Sequence, residues 1–225
     1  MMKSVFMKGK MVLLLVACIT LLLPSFDTTA ATQKQQALKA YKQFLSKSTV
    51  TIIPLGRRYE DQWSLRMVNY TGTPSSKVRF AIAYIDNDSI PELIIERIED
   101  HMTCALFGIF TYKNGKVVWV KAGRGYDYYI GCYAKTGTFL TRDTTDGALY
   151  HDQYTVFKNG KATPKLTKTV APYEFKEYYR NQNGGLKKIS FQAFSRLLKN
   201  LNGGRKLTRV NYHNNTAGNR NTYLK

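Results

Sequence analysis

The chain has 225 residues, with 34 Lys and Arg against 15 Asp and Glu, for a formal net charge of +19. Its length is enough for one domain with a substantial core, and an excess of this size bears on solubility and attraction to polyanions, not on fold. No Gly-rich phosphate loop, nucleophile elbow or zinc-ligand spacing occurs anywhere in it, which excludes the enzyme classes those motifs mark.

The N-terminus reads as a secretory signal over 1–30. Lys3, Lys8 and Lys10 form a cationic leader, Met11 to Leu23 an apolar run broken by Pro24, and Thr28-Thr29-Ala30-Ala31 a small-residue cleavage site. The run is about 13 residues long, short of the roughly 20 that a helix needs to span a bilayer. No transmembrane helix is therefore expected in the mature form, and the location is secreted or cell-surface. An alternative exists in Leu15-Val16-Ala17-Cys18, which resembles a bacterial lipobox and implies lipidation of Cys18, although Ile19 to Leu23 continues the apolar run beyond it.

Residues 31–225 read as a single β-rich domain with a polar, basic C-terminal tail. Ala37, Leu38, Tyr41, Phe44 and Leu45 recur at helical spacing over 34–46. The stretch 47–77 is polar and loop-rich, with one short strand near Val50. Strands are then predicted at Val78–Ile85 and Pro91–Arg97, paired so that Ile82 faces Leu93 and Phe80 faces Ile95. Both faces of that hairpin are fairly apolar, and the N-terminal helix is expected to cover the one bearing Ala81, Ala83 and Ile94. Asn114-Gly115 and Asn159-Gly160 mark two further hairpins, because both positions of such a turn take positive φ. Tyr126–Tyr133 and Thr138–Arg142 fill the space between. A second helix is predicted from Phe191 to Leu201, with Ser190 as N-cap and Gly203 at its exit, followed by a short strand over 206–212. The fold class is α+β, a mainly antiparallel β-meander with one amphipathic helix near each end of the mature chain. Such a meander places Cys104 and Cys132 near opposite ends of the sheet, so a disulfide between them is not expected.

The most distinctive stretch is Tyr84-Ile85-Asp86-Asn87-Asp88-Ser89-Ile90-Pro91-Glu92-Leu93. It resembles the D-x-[DN]-x-D-G-x-P-E-L turn of calcium-binding repeats and of many uncharacterised secreted bacterial proteins, in which an Asn-Gly meander follows. The resemblance implies a location and a style of fold more than a chemistry. It assigns ligand positions for Ca²⁺ to Asp86, Asp88, the carbonyl of Ile90 and Glu92. Tyr84 stands where the first acidic ligand belongs and Ser89 where the bend-forming glycine belongs, so the site is degenerate, and an ordinary polar turn is the simpler reading.

Glu177 is the last acidic residue. Lys187, Lys188, Arg196, Lys199, Arg205, Lys206, Arg209 and Arg220 follow with no carboxylate among them, beside Tyr178, Tyr179, Tyr212 and Tyr223. These residues are candidates for binding a polyanion, which for an exported chain means an anionic cell-wall polymer or a glycan. No nucleic-acid fold signature is present, and nucleic acid is not the expected partner. His101, His151 and His213 show no ligand or relay spacing, so no catalytic residue is assigned. The reading is a non-catalytic, surface- or wall-associated domain. The alternatives are a hydrolase of a wall polymer or glycan and a degenerate calcium-stabilised module.

Overall fold

The structure is a computed structural model and describes residues 26–51, 64–66, 77–98, 104–144, 149–171 and 173–225. Cys18, the apolar leader run and His101 lie outside them. Helix α1 spans Phe26–Leu45, so the expected cleavage site falls inside its first turns. Residues 31–36 are exposed and Ala37 is the first buried one among the described side chains, so a cut after Ala30 or Ala31 removes none of the described packing.

After a small hairpin, β1 (Thr49–Thr51) with β2 (Ser64–Arg66), nine strands follow as an uninterrupted antiparallel meander. They are β3 (Val78–Ala83), β4 (Glu92–Ile98), β5 (Cys104–Lys113), β6 (Lys116–Tyr133), β7 (Thr138–Thr144), β8 (Tyr150–Lys158), β9 (Lys161–Ala171), β10 (Phe175–Gln182) and β11 (Gly185–Ile189). Helix α2 (Phe191–Asn202) comes next, then β12 (Thr208–Arg209), β13 (His213–Asn214) and helix α3 (Ala217–Tyr223). β13 extends the sheet beyond β3, and β12 pairs with β6. The fold is α+β with a β-meander, as the sequence predicts. β3 and β4 pair in the expected register, Phe80 opposite Ile95 and Ile82 opposite Leu93.

Strand β6 organises the molecule. Its first half pairs with β5 and its second half with β7. Ile130 stands opposite Thr141, which stands opposite Gln153. In a straight strand Lys121 would lie roughly 30 Å from Ile130, yet its ammonium donates to Gln153 Oε1 and, at 3.4 Å, to Thr155 Oγ1. The sheet therefore doubles back along β6, helped by a register shift between Tyr126 and Tyr129. A core is enclosed by this return: Ala81, Ala83 and Ile94 from the first strands meet Ile130, Cys132, Phe139 and Phe157 from the later ones.

The two remaining cores lie under the helices. Ala37, Leu38, Tyr41 and Leu45 of α1 pack on Phe80, Leu93, Ile95 and Phe110. The helix thus covers the face opposite the expected one, because the Ala81 and Ile94 face is already taken by the returning sheet. Phe80 is fully buried there, and truncating it to Ala should cost about 3–5 kcal/mol. Phe194 of α2, with Leu197, Leu198 and Leu201, packs on Leu140, Tyr154 and Leu166. Ser190 caps that helix by accepting from the Ala193 N–H at 3.2 Å, and Gly203 leaves it at φ 59°.

The segment read as a polar tail is folded. Asn215 donates to Leu45 O at 3.0 Å and accepts from Arg220 at 2.8 Å, His213 stacks on Tyr223 at 3.5 Å, and Leu224 enters the α1 core. No helix among the described residues is long and apolar enough to cross a membrane. Cys132 is free and buried, and Cys104 on β5 lies opposite Tyr126, its side chain outside the described residues.

Candidate functional site

The acidic turn joins β3 to β4. Asp86 Oδ1 accepts from the Asp88 N–H at 3.2 Å, and Asp88 Oδ1 accepts from the Ile90 N–H at 2.7 Å, so each aspartate braces the backbone two residues on. Ser89 replaces the expected glycine without strain, since its φ is not positive. Glu92 lies beneath the turn with no exposed surface. Its Oε2 accepts from the Ile85 N–H at 3.0 Å and its Oε1 from the Thr111 hydroxyl at 3.2 Å. Burial, reinforced by the charges of Asp86 and Asp88, pushes the Glu92 carboxyl up to about 8, and burial raises Asp86 as well. Oxygens of Asp86, Asp88 and Glu92 lie within 4.8 Å of one another. Their type suits a hard cation, while their hydrogen bonds already serve as turn scaffolding. The N–H of Ile90 is engaged with Asp88, and Tyr84 contributes no carboxylate.

This turn forms one wall of a cleft of about 850 Å³, whose other walls are the 113–116, 134–137 and 158–161 turns and the polar side of α1. The turns are brought together by backbone bonds from Lys135 N to Tyr84 O at 3.0 Å and from Gly137 N to Ile85 O at 2.8 Å. Lys113 Nζ, donating to Asn159 O at 3.4 Å, ties the two Asn-Gly turns to each other. Asn114 and Asn159 have φ of 51° and 55°, followed by Gly115 and Gly160 at 77° and 78°, as such hairpins require. Each turn carries a lysine on either side, so Lys113 faces Lys116 and Lys158 faces Lys161 across their hairpins. Lys113, Lys135 and Lys158 line the cleft, and none of these five lysines has an ion-pair partner among the described residues. Both copies of Lys-Asn-Gly-Lys mark hairpins in the sequence, and their repeated flanking lysines are the signal for this cleft.

The candidates in the basic C-terminal stretch are distributed over five segments: Lys187 and Lys188 on β11, Arg196 and Lys199 on α2, Arg205 and Lys206 in the loop after it, Arg209 on β12 and Arg220 on α3. Lys188 pairs with Glu177 at 2.5 Å, Arg205 donates to Ala134 O at 2.7 Å, and Arg220 holds Asn215. None of the eight lines this cleft.

Among the described residues, the groups with catalytic potential are held apart. Asp152 is buried and bonded by Arg142 at 2.6 and 2.9 Å, with Lys168 at 3.6 Å. His151, on the neighbouring position, faces Asp143 and Thr169 across the sheet. Its Nδ1 is 3.2 Å from Thr169 Oγ1, and burial raises the Asp143 carboxyl while the imidazole opposes that rise. No hydrogen bond joins Asp143 to the ring, so this row lacks the relay that would activate a hydroxyl. His213 is stacked on Tyr223, and burial raises the Cys132 thiol, which leaves it unreactive. The side chains of Tyr126, Tyr128 and Tyr129 lie outside the described residues.

No family model and no curated protein matches this chain. A solved structure described as that of a Xanthomonas Type IV secretion system related protein is similar over 57% of this chain and 73% of that one, with 10% identity and a TM-score of 0.39. So loose a likeness carries no argument about function.

Proposed function

We propose that the chain is an exported, non-catalytic domain of the cell surface or wall that holds an anionic polymer or glycan in the cleft at its hairpin tips. One observation carries the reading: three separate turns deliver Lys113, Lys135 and Lys158 to a single concavity without a carboxylate bonded to any of them. Like charges set opposite one another across a hairpin are destabilising in the free protein, and a bound polyanion relieves that repulsion while releasing its own counterions. The acidic turn at one wall limits how an anion can lie and so favours a polymer that also offers hydroxyl or cationic groups. The leader at 1–30 supports export, with lipidation of Cys18 as the alternative mode of attachment.

Retention on immobilised heparin and on purified anionic wall polymer, measured against salt, tests the reading. The expected result is elution above physiological ionic strength, lost in a Lys113→Gln, Lys135→Gln, Lys158→Gln triple variant. Elution of the unaltered chain below physiological ionic strength defeats it.

A further inference from the structure

A second cleft, of about 920 Å³, opens where β9 and β10 part. Their last paired residues are Leu166 and Arg180. Past them lie Pro164, which has no N–H to offer a neighbouring strand, and the 181–185 turn. Leu166, Leu197 and Leu201 give the cleft an apolar side. Apart from Pro164, Leu186 and two glycines, the rest of its lining is polar. Arg180 and Lys165 are exposed cations without an ion-pair partner among the described residues. Arg180 also stands directly opposite Lys187 on β11, a like-charge pair that an anion would relieve.

Two carboxamides add to this donor character. The Lys121 ammonium can only donate, and it bonds Gln153 Oε1, which leaves the Gln153 NH₂ as a donor. Thr167 donates to Asn181 Oδ1 at 3.0 Å, which leaves Asn181 with its NH₂ in the same way. No carboxylate among the described residues lines the cleft.

We propose that this cleft is a binding site for a small amphiphilic anion, a single carboxylate or phosphate head on an aliphatic body. The head lies at Arg180 and the body on Leu166, Leu197 and Leu201, which share its face of the sheet, while Gln153 and Asn181 line the gap from the other face. An acceptor-rich head suits the Arg180 guanidinium in a lining without carboxylates, and an aliphatic body suits the adjoining leucines, which a fully hydrated anion would leave uncovered. The site is separate from the hairpin-tip cleft, and the proposal stands whether or not that cleft binds a polymer.

Isothermal titration of the full chain with octanoate and with octyl phosphate, against octyl glucoside and inorganic phosphate, tests it. Both octyl anions are expected to bind one per chain. Octyl glucoside and inorganic phosphate, each lacking one half of the ligand, are expected to bind about tenfold more weakly or not at all. Arg180→Gln should weaken the octyl anions about tenfold by removing a charged hydrogen bond. It should not lower the thermal unfolding temperature, because the residue is exposed and its loss relieves the repulsion with Lys187. Leu197→Ser should weaken both anions but not inorganic phosphate. The proposal is overturned if neither octyl anion binds, if octyl glucoside binds as tightly as they do, or if Arg180→Gln retains the original affinity.

Discussion

Lys121 of β6 donates its ammonium hydrogens to Gln153 and Thr155 of β8, strands that a flat sheet would hold far apart at these positions. The contact records the doubling-back of the sheet. It also leaves a cation between two layers with neutral partners only.

The first prediction concerns that cation. Burial lowers the Lys121 ammonium from 10.5 to about 8. The folded chain therefore binds this proton less tightly than the unfolded one, and stability rises with pH between about 8 and 10.5. Below that window the burial penalty is present in full. Lys121→Met should raise stability at neutral pH by up to about 3 kcal/mol and remove the rise, as read by urea unfolding across the alkaline range. A variant less stable than the parent at neutral pH would show that the ammonium is a net stabilising tie.

Glu92 works in the opposite direction. Its carboxyl, raised from 4.5 to about 8, binds a proton more tightly in the folded chain, so stability falls as pH climbs through that interval. The full loss is on the order of 4 kcal/mol. Glu92→Gln should flatten the profile and be the more stable form at pH near 8. Its oxygen can still accept from the Ile85 N–H, and the Thr111 hydroxyl can turn to accept from the new NH₂. A variant that keeps the parent's slope would assign the titration to another group.

The same residue bears on the degenerate calcium turn. Charging Glu92 opens a carboxylate to a cation, so any binding of Ca²⁺ must release a proton near neutral pH. With Tyr84 in place of the first acid, millimolar Ca²⁺ should give little heat by calorimetry. A saturable signal that disappears in Asp88→Ala would instead establish a working site.

Gly123 tests the packing at the start of the bend. A Cβ built there would lie 2.2 Å from Cε1 of Phe107, which is itself buried in the enclosed core. Gly123→Ala should cost about 1–3 kcal/mol, and Phe107→Leu in the same chain should recover part of it, as double-mutant unfolding would reveal. Independent, additive costs would place the ring elsewhere.

Much of this architecture is written locally. The register of β3 and β4 follows from which apolar residues can face each other, and the turn at Asn114 follows from its positive φ. Less is local about the covering of that hairpin. Its strands are apolar on both faces because both are buried, so pattern alone could not decide which face α1 takes. β10 and β11 escaped because Lys, Tyr and other polar residues leave little apolar contrast there, and most of both strands is exposed. A third Asn-Gly, at 183–184 with φ of 51° and 77°, makes the last hairpin and was equally legible. The hairpin-tip cleft was not: its lysines stand in the sequence, but their convergence depends on β6 carrying the later strands back beside the acidic turn. The folded clasp at the C-terminus depends likewise on Leu45, 170 positions away from its partner Asn215.

Acetylation of lysines in the full chain, read by mass spectrometry with and without saturating heparin, tests the binding surface most directly. Slower labelling of Lys113, Lys135 and Lys158, with Lys187 and Lys199 reacting at their former rates, is the predicted result. Protection of Lys187 and Lys199 while the three turn lysines stay fully reactive would contradict the account and return the polymer to the basic C-terminal segment.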